Sequence, residues 1–170
     1  TNLIYQMGVE IARQCRLLGI HVNFAPVVDV NSNPENPIIN NRSFGENPQR
    51  VSSLGVAYMK GMQENNVLAC AKHFPGHGDT NEDSHKTLPV INHSKDRLNK
   101  VELIPFKRLI NNGLGSIMIA HLNVPSLDSV ESISSSLSPL VVNDLLKRDL
   151  NFDGLAITDA LNMKGVSDFY

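Results

Sequence analysis

Eighteen residues, Lys72 to Pro89 (KHFPGHGDTNEDSHKTLP), hold three of the six histidines, His73, His77 and His85, together with Asp79, Glu82 and Asp83. Such groups can transfer protons, bind metals or hold polar substrates. Pro75, Gly76 and Gly78 exclude a helix here and permit backbone angles that other residues avoid. Just before the stretch, Val67 to Ala71 is an apolar run of strand length. The pattern is a buried strand that delivers Lys72 and His73 into a polar loop. A solvated charge cluster is the plain alternative, but loops of this composition at the end of a buried strand are where chemistry concentrates.

Three chemistries fit these residue types. A metal site could draw on His73, His77, Asp79, Asp83 and His85. Its strongest signature, two histidines one helical turn apart, is ruled out by Pro75 and Gly76. Serine chemistry could use Ser84 between Asp83 and His85, but no Gly-x-Ser-x-Gly elbow exists in the chain. Glycoside hydrolysis needs a group at the anomeric carbon and a separate group to protonate the leaving oxygen. Asp159, which follows the apolar run Leu155 to Thr158, could be the fixed carboxylate; its plain alternative is a strand-end cap. Asp83 lies two residues from His85 and could orient the ring and raise its pKa from the ordinary ~6.5. A histidine so placed can give and take a proton near neutral pH.

These residues need a scaffold. Apolar positions from Leu3 to Leu18 predict a helix over 2–18, stopped by Gly19. Ile20 to Val30 predicts a buried strand whose regular pairing ends near Pro26. A loop over 31–48 contains Arg42, and a helical pattern follows over 49–65. After the Lys72 loop, 95–111 predicts a helix, with Pro105 a kink or restart. Ser116 to Ala120 predicts a strand delivering His121. A serine-rich loop leads to a helix over 139–150, with Ser138 as its cap and Pro139 at its first position. Leu155 to Thr158 is the last strand. Helix and strand alternate, which predicts a parallel α/β sheet. Polar residues at successive strand ends (Asp29, Lys72 with His73, His121, Asp159) are what a (β/α)₈ barrel presents at its active face, although a doubly wound open sheet reads similarly. Four strands predict about four consecutive β/α units, part of a TIM-type barrel.

The composition, 41% hydrophobic and 19% charged over 170 residues, is that of a globular domain or a piece of one. A net charge of −2 without a Lys/Arg cluster argues against nucleic acid as a partner. No apolar run reaches the ~20 residues a membrane-spanning helix needs. Cys15 and Cys70 both fall on predicted apolar faces and read as core thiols. Thr1 is not a native start, so export is left open.

The Lys72 loop, taken with GLAITDALNMKGV from Gly154 to Val166, resembles glycoside hydrolase family 3. Within it the chain is similar to the β-N-acetylglucosaminidase branch, which acts on peptidoglycan fragments. NFAPVVDVNSNPENPIINNRSFGENP (Asn23 to Pro48) and IMIAHLNVP (Ile117 to Pro125) carry the resemblance further, in order, over nearly the whole chain. It implies that residues 1–170 are a fragment of a single N-terminal catalytic barrel domain, with strands missing at both ends. It implies Asp159 as the nucleophile, His85 as the acid/base and Asp83 as its dyad partner. Lys72, His73 and Arg42 are implied as sugar-hydroxyl contacts, with no metal and no cofactor. The chain departs from the family pattern at Asp149 and Ala156, both away from the reacting groups.

The implied activity is retaining, exo-acting removal of terminal β-N-acetylglucosamine from a carbohydrate partner. A β-glucosidase or glycoside phosphorylase of the same family is the alternative, because a histidine base carries no negative charge to repel phosphate. A catalytically inactive or merely carbohydrate-binding barrel fragment is the third reading.

Overall fold

The computed structural model describes residues 1–81 and 87–167. In chain order its elements are α1 (Asn2–Leu17), β1 (Val22–Asn23), a 3₁₀ turn (Asn40–Arg42), α2 (Pro48–Gln63) and β2 (Leu68–Phe74). They continue with α3 (Lys95–Lys100), α4 (Leu103–Ile110), β3 (Ser116–Ile119), a π-helix (Leu140–Asp149), β4 (Leu155–Thr158) and α5 (Lys164–Ser167). The four strands pair in parallel in the order β1-β2-β3-β4. A doubly wound sheet reverses its strand order at a switch point, whereas a barrel adds each strand beside the last. The observed order is the barrel's, so the architecture is α/β and part of a TIM-type barrel.

Local chemistry sets the element ends. At the C-terminus of α1, Gly19 has φ +73°, the Ile20 N–H bonds the Cys15 carbonyl at 2.8 Å, and the Gly19 N–H bonds Arg16 at 3.1 Å. This is the Schellman arrangement, which glycine adopts without a Cβ penalty. Asn47 caps α2 by accepting from the Gln49 and Arg50 N–H groups. The predicted helix over 95–111 divides into α3 and α4 at Val101 and Glu102, and Pro105 falls in the first turn of the second piece. There the missing N–H of proline costs nothing. Ser138 accepts from the Val141 N–H at 3.2 Å, as expected of a cap, but the helix it opens is of the π type.

Two strands differ from expectation. The run Ile20 to Val30 forms regular ladder only at Val22–Asn23, and an isolated parallel bridge pairs Val27 with Lys72. Between them Pro26 has no N–H to donate, yet the Ala25 and Pro26 carbonyls accept from Cys70 and Lys72. β2 runs three residues beyond Ala71, to Phe74. Its register against β3 passes from Ala71↔Ile117 to Phe74↔Ile119, three steps against two. The extra residue is a bulge at Lys72–His73, a device that re-aims side chains beside a site.

The core lies between the sheet and its helices. Phe74 of β2 and Phe106 of α4 are fully buried and meet edge to face at 5.2 Å between ring centroids. Burying a side chain of that size contributes roughly 1.5–3 kcal/mol. α1 and α2 cross where Gly8 faces Gly61; a Cβ on Gly61 would sit 2.2 Å from the Tyr5 carbonyl oxygen. Cys70 is buried in β2, and burial pushes its thiol pKa up. No described helix is long and apolar enough to cross a membrane.

Candidate active site

The carboxyl ends of the strands carry the polar residues, and a buried carboxylate ties two of those ends together. Asp29, fully buried, follows the irregular segment after β1. Its oxygens accept from the His73 backbone N–H at 3.1 and 3.2 Å, from the His77 backbone N–H at 2.7 Å, and from His73 Nδ1 at 2.7 Å. Burial works to raise the Asp29 pKa. The charge and hydrogen bond of His73, with the charge and N–H of His77, outweigh it and hold the carboxyl below the ordinary range. An ionised Asp29 fixes the proton on Nδ1 of His73, so Nε2 is the ring nitrogen left to meet a ligand. The Lys72–His73 and Phe74–Pro75 peptides are both cis.

The first residues beyond β2, Gly76 to Thr80, are packed down against the preceding segment. Gly78 lies so close to the preceding segment that a Cβ there would fall 1.9 Å from the Val30 carbonyl oxygen. His77 is buried, with Nδ1 2.7 Å from Thr80 Oγ1. Asn36 donates to the His77 carbonyl at 2.7 Å and to Thr80 Oγ1 at 3.3 Å. Burial lowers the His77 pKa, helped by the charge of His73 and opposed by those of Asp29 and Asp159. On the far side, Asp79 meets His93 Nε2 at 2.5 Å, and Arg97 pairs with the buried Glu102 at 3.0 Å.

Of the residues singled out from sequence, Lys72 and His73 adjoin in β2, and Lys72 lies within reach of the charges of Arg42 and Asp159. Lys72 is half-buried; burial and the charge of Arg42 lower its pKa, while Asp159, Cys70 and Asp29 oppose the shift. Lys72 thus stands between one like and one opposite charge, those of Arg42 and Asp159. Arg42 is exposed and braces its own 3₁₀ turn by donating to the Ile38 carbonyl at 3.1 Å. His73, next to Lys72 in β2, is tied to Asp29. Asp159 is half-buried at the end of β4; its Oδ1 accepts from the Ala160 N–H at 2.8 Å, and its own N–H bonds the Ile119 carbonyl at 3.0 Å. Asp83 and His85 lie outside the described residues. Among the described residues no three His, Cys, Asp or Glu side chains gather as a metal site.

Two further residues belong to this arrangement. Asp29 was legible only as a strand-end acid, because its partners are 44 and 48 residues away in the chain. His121, at the end of β3, is fully buried, with Nδ1 2.8 Å from Ser136 Oγ and Nε2 3.1 Å from the Ala160 carbonyl. A polar residue after an apolar strand was the one signal for each.

This geometry has close relatives. The family model described as the glycosyl hydrolase family 3 N-terminal domain matches residues 1–170. Beta-hexosaminidase A of Pseudoalteromonas piscicida is 45% identical over 175 residues, covering 97% of this chain and 29% of that protein. A glycoside hydrolase family 3 beta-N-acetylglucosaminidase from Paenibacillus sp. str. FPU-7 superposes with a TM-score of 0.97 at 42% identity, over 99% of this chain and 32% of the other. A beta-glucoside phosphorylase, BglX, superposes with a TM-score of 0.93 at 30% identity, over 97% of this chain and 31% of its own. The chain thus spans about a third of the length of these three relatives. The chain belongs to the family of glycosyl hydrolase family 3 N-terminal domains.

Proposed function

We propose that the protein is a retaining exo-β-N-acetylglucosaminidase, and that residues 1–170 form part of its single catalytic barrel. The observation that carries this reading is the placement of Asp159. It is a strand-end carboxylate with one oxygen held by a backbone N–H, and its charge reaches Lys72, as does that of Arg42. The hexosaminidase and N-acetylglucosaminidase names of the relatives support the substrate class.

In the proposed reaction the Asp159 carboxylate attacks the anomeric carbon as the glycosidic bond breaks. His85, as imidazolium, gives its proton to the leaving oxygen. Water then attacks the glycosyl ester, neutral His85 takes the water's proton, and Asp159 leaves as carboxylate. Asp83 orients the His85 ring. Lys72, Arg42 and Nε2 of His73 hold sugar hydroxyls, and peptidoglycan-derived fragments are the proposed source of the sugar. The test is turnover of chromogenic glycosides by the full-length protein. An N-acetylglucosaminide should be cleaved at least about tenfold faster than the matching glucoside, since a site built to bond the acetamido group is left with unpaired polar groups by a sugar lacking it. Equal rates would favour a β-glucosidase.

The similarity to BglX favours one second reading, transfer of the glycosyl group to phosphate. A neutral imidazole base does not repel an anionic acceptor as a carboxylate would. Accumulation of a sugar phosphate in phosphate buffer, in place of the free sugar, would select it.

A further inference from the structure

Asp159 and Ala160 are each held by β3 or the residues just after it. The Ile119 carbonyl takes the Asp159 N–H at 3.0 Å, and one residue on, the Ala160 carbonyl lies 3.1 Å from Nε2 of His121. A carbonyl only accepts, so Nε2 carries the proton and donates. In the neutral ring Nδ1 is then the acceptor, and the partner 2.8 Å away is the Ser136 hydroxyl. Ser134 Oγ lies 2.9 Å from Ser136 Oγ and continues the chain. Each of these groups is buried: His121 and Ser134 are 0% exposed and Ser136 is 9% exposed. The Ala160 N–H, on the residue whose carbonyl His121 grips, is also the donor to Oδ1 of Asp159 at 2.8 Å.

We propose that His121 is a positioning residue for the carboxylate of Asp159: steadied by Ser136 at its other ring nitrogen, it locks Ala160 so that the Ala160 N–H holds Oδ1 and leaves Oδ2 aimed at the reacting carbon. The proposal rests on the reading of Asp159 as nucleophile. A buried imidazole that served packing alone would need no proton on a particular nitrogen. Here both ring nitrogens are committed, one to the backbone next to the nucleophile and one to a serine relay. A nucleophile held in one rotamer starts each turnover near the attack geometry, and small displacements from such geometry are costly in rate.

The experiment measures the maximal rate at which a slow fluorinated N-acetylglucosamine-type substrate labels the full-length protein, with the labelled residue mapped by mass spectrometry. His121→Phe keeps an aromatic ring, slightly larger, and removes both bonds. It should slow labelling by about tenfold or more, as expected for loss of a positioning hydrogen bond. The reagent concentration for half-maximal rate should stay within about twofold, since no sugar contact is removed. His121→Gln offers an amide N–H near the Nε2 position and should restore the rate to within about threefold of wild type. Should His121→Phe fail to fold, Ser136→Ala, a smaller change, should slow labelling by about threefold or more by removing the bond that steadies the ring. Labelling within about twofold of wild type in the folded variants, with the label on Asp159, would overturn the role of His121 and leave the nucleophile standing. A label on another residue of the wild-type protein would overturn both.

Discussion

Asp29 and His73, 44 residues apart in sequence, form a buried pair with Nδ1 2.7 Å from the Asp29 carboxylate. The same carboxylate also takes the backbone N–H groups of His73 and His77. One buried acid thus anchors both the bulge of β2 and the start of the loop that follows it. The structural role of Asp29 and the presentation of Nε2 on His73 are two consequences of one arrangement.

Asp29→Asn should therefore damage stability as well as activity. The amide keeps the shape but turns an NH₂ toward donors that need an acceptor. Removing one partner of a buried pair costs about 3–5 kcal/mol. Chemical denaturation of the full-length protein checks this. A loss below about 1 kcal/mol would mean that the pair is not a stabilising element.

Stability should also fall on acidification, in two stages. His77 has a folded pKa below its ordinary value, so the unfolded chain binds its proton first. Stability is then lost as pH drops from about 6.5 toward the folded pKa of His77. Asp29 is likewise depressed, and its contribution, complete above about 4, is lost as pH falls through its folded pKa. His77→Gln should flatten the upper stage and leave the lower one. Unfolding midpoints of the two proteins, measured from pH 7.5 downward, should converge as pH falls; parallel profiles would contradict the assignment.

The leaving group tests the proposed acid/base. A dinitrophenolate is a weak base and gains little from protonation, whereas a sugar alkoxide needs the proton in the transition state. His85→Ala should slow glycosylation by dinitrophenyl substrates only slightly and slow cleavage of a natural disaccharide by about 10²-fold or more. Asp83→Ala should give a milder version of the same pattern. A uniform loss across leaving groups would make His85 a binding or structural residue.

Sequence and structure agree where local chemistry decides. The Gly19 stop, the Ser138 cap, the break beside Pro105 and the last strand at Leu155–Thr158 all follow from residues within a few positions of the feature. They diverge where the partner is remote. β2 continues through the polar Lys72 and His73 because Pro26, Val28 and Ala120 supply its hydrogen-bond partners, and none of these adjoins it in sequence. The choice between a barrel and an open sheet needed the strand order, which periodicity does not carry. The placement of Lys72, His73 and Asp159 at or near strand ends was legible from the apolar runs before them. The hydrogen-bond partners of Asp29 and His121 were not, because they lie 15 to 48 residues distant. The π-type winding of Leu140–Asp149 has no counterpart in the residue pattern.

The central claim is that Asp159 forms the covalent bond to the sugar. The most direct measurement is peptide mapping of the full-length protein after reaction with a slow fluorinated N-acetylglucosamine-type substrate, alongside turnover by Asp159→Ala. The expected result is a single glycosyl ester on Asp159, and a variant that stays folded while losing about 10³-fold or more in turnover. A label on any other residue, or turnover by Asp159→Ala within about tenfold of wild type, would contradict it.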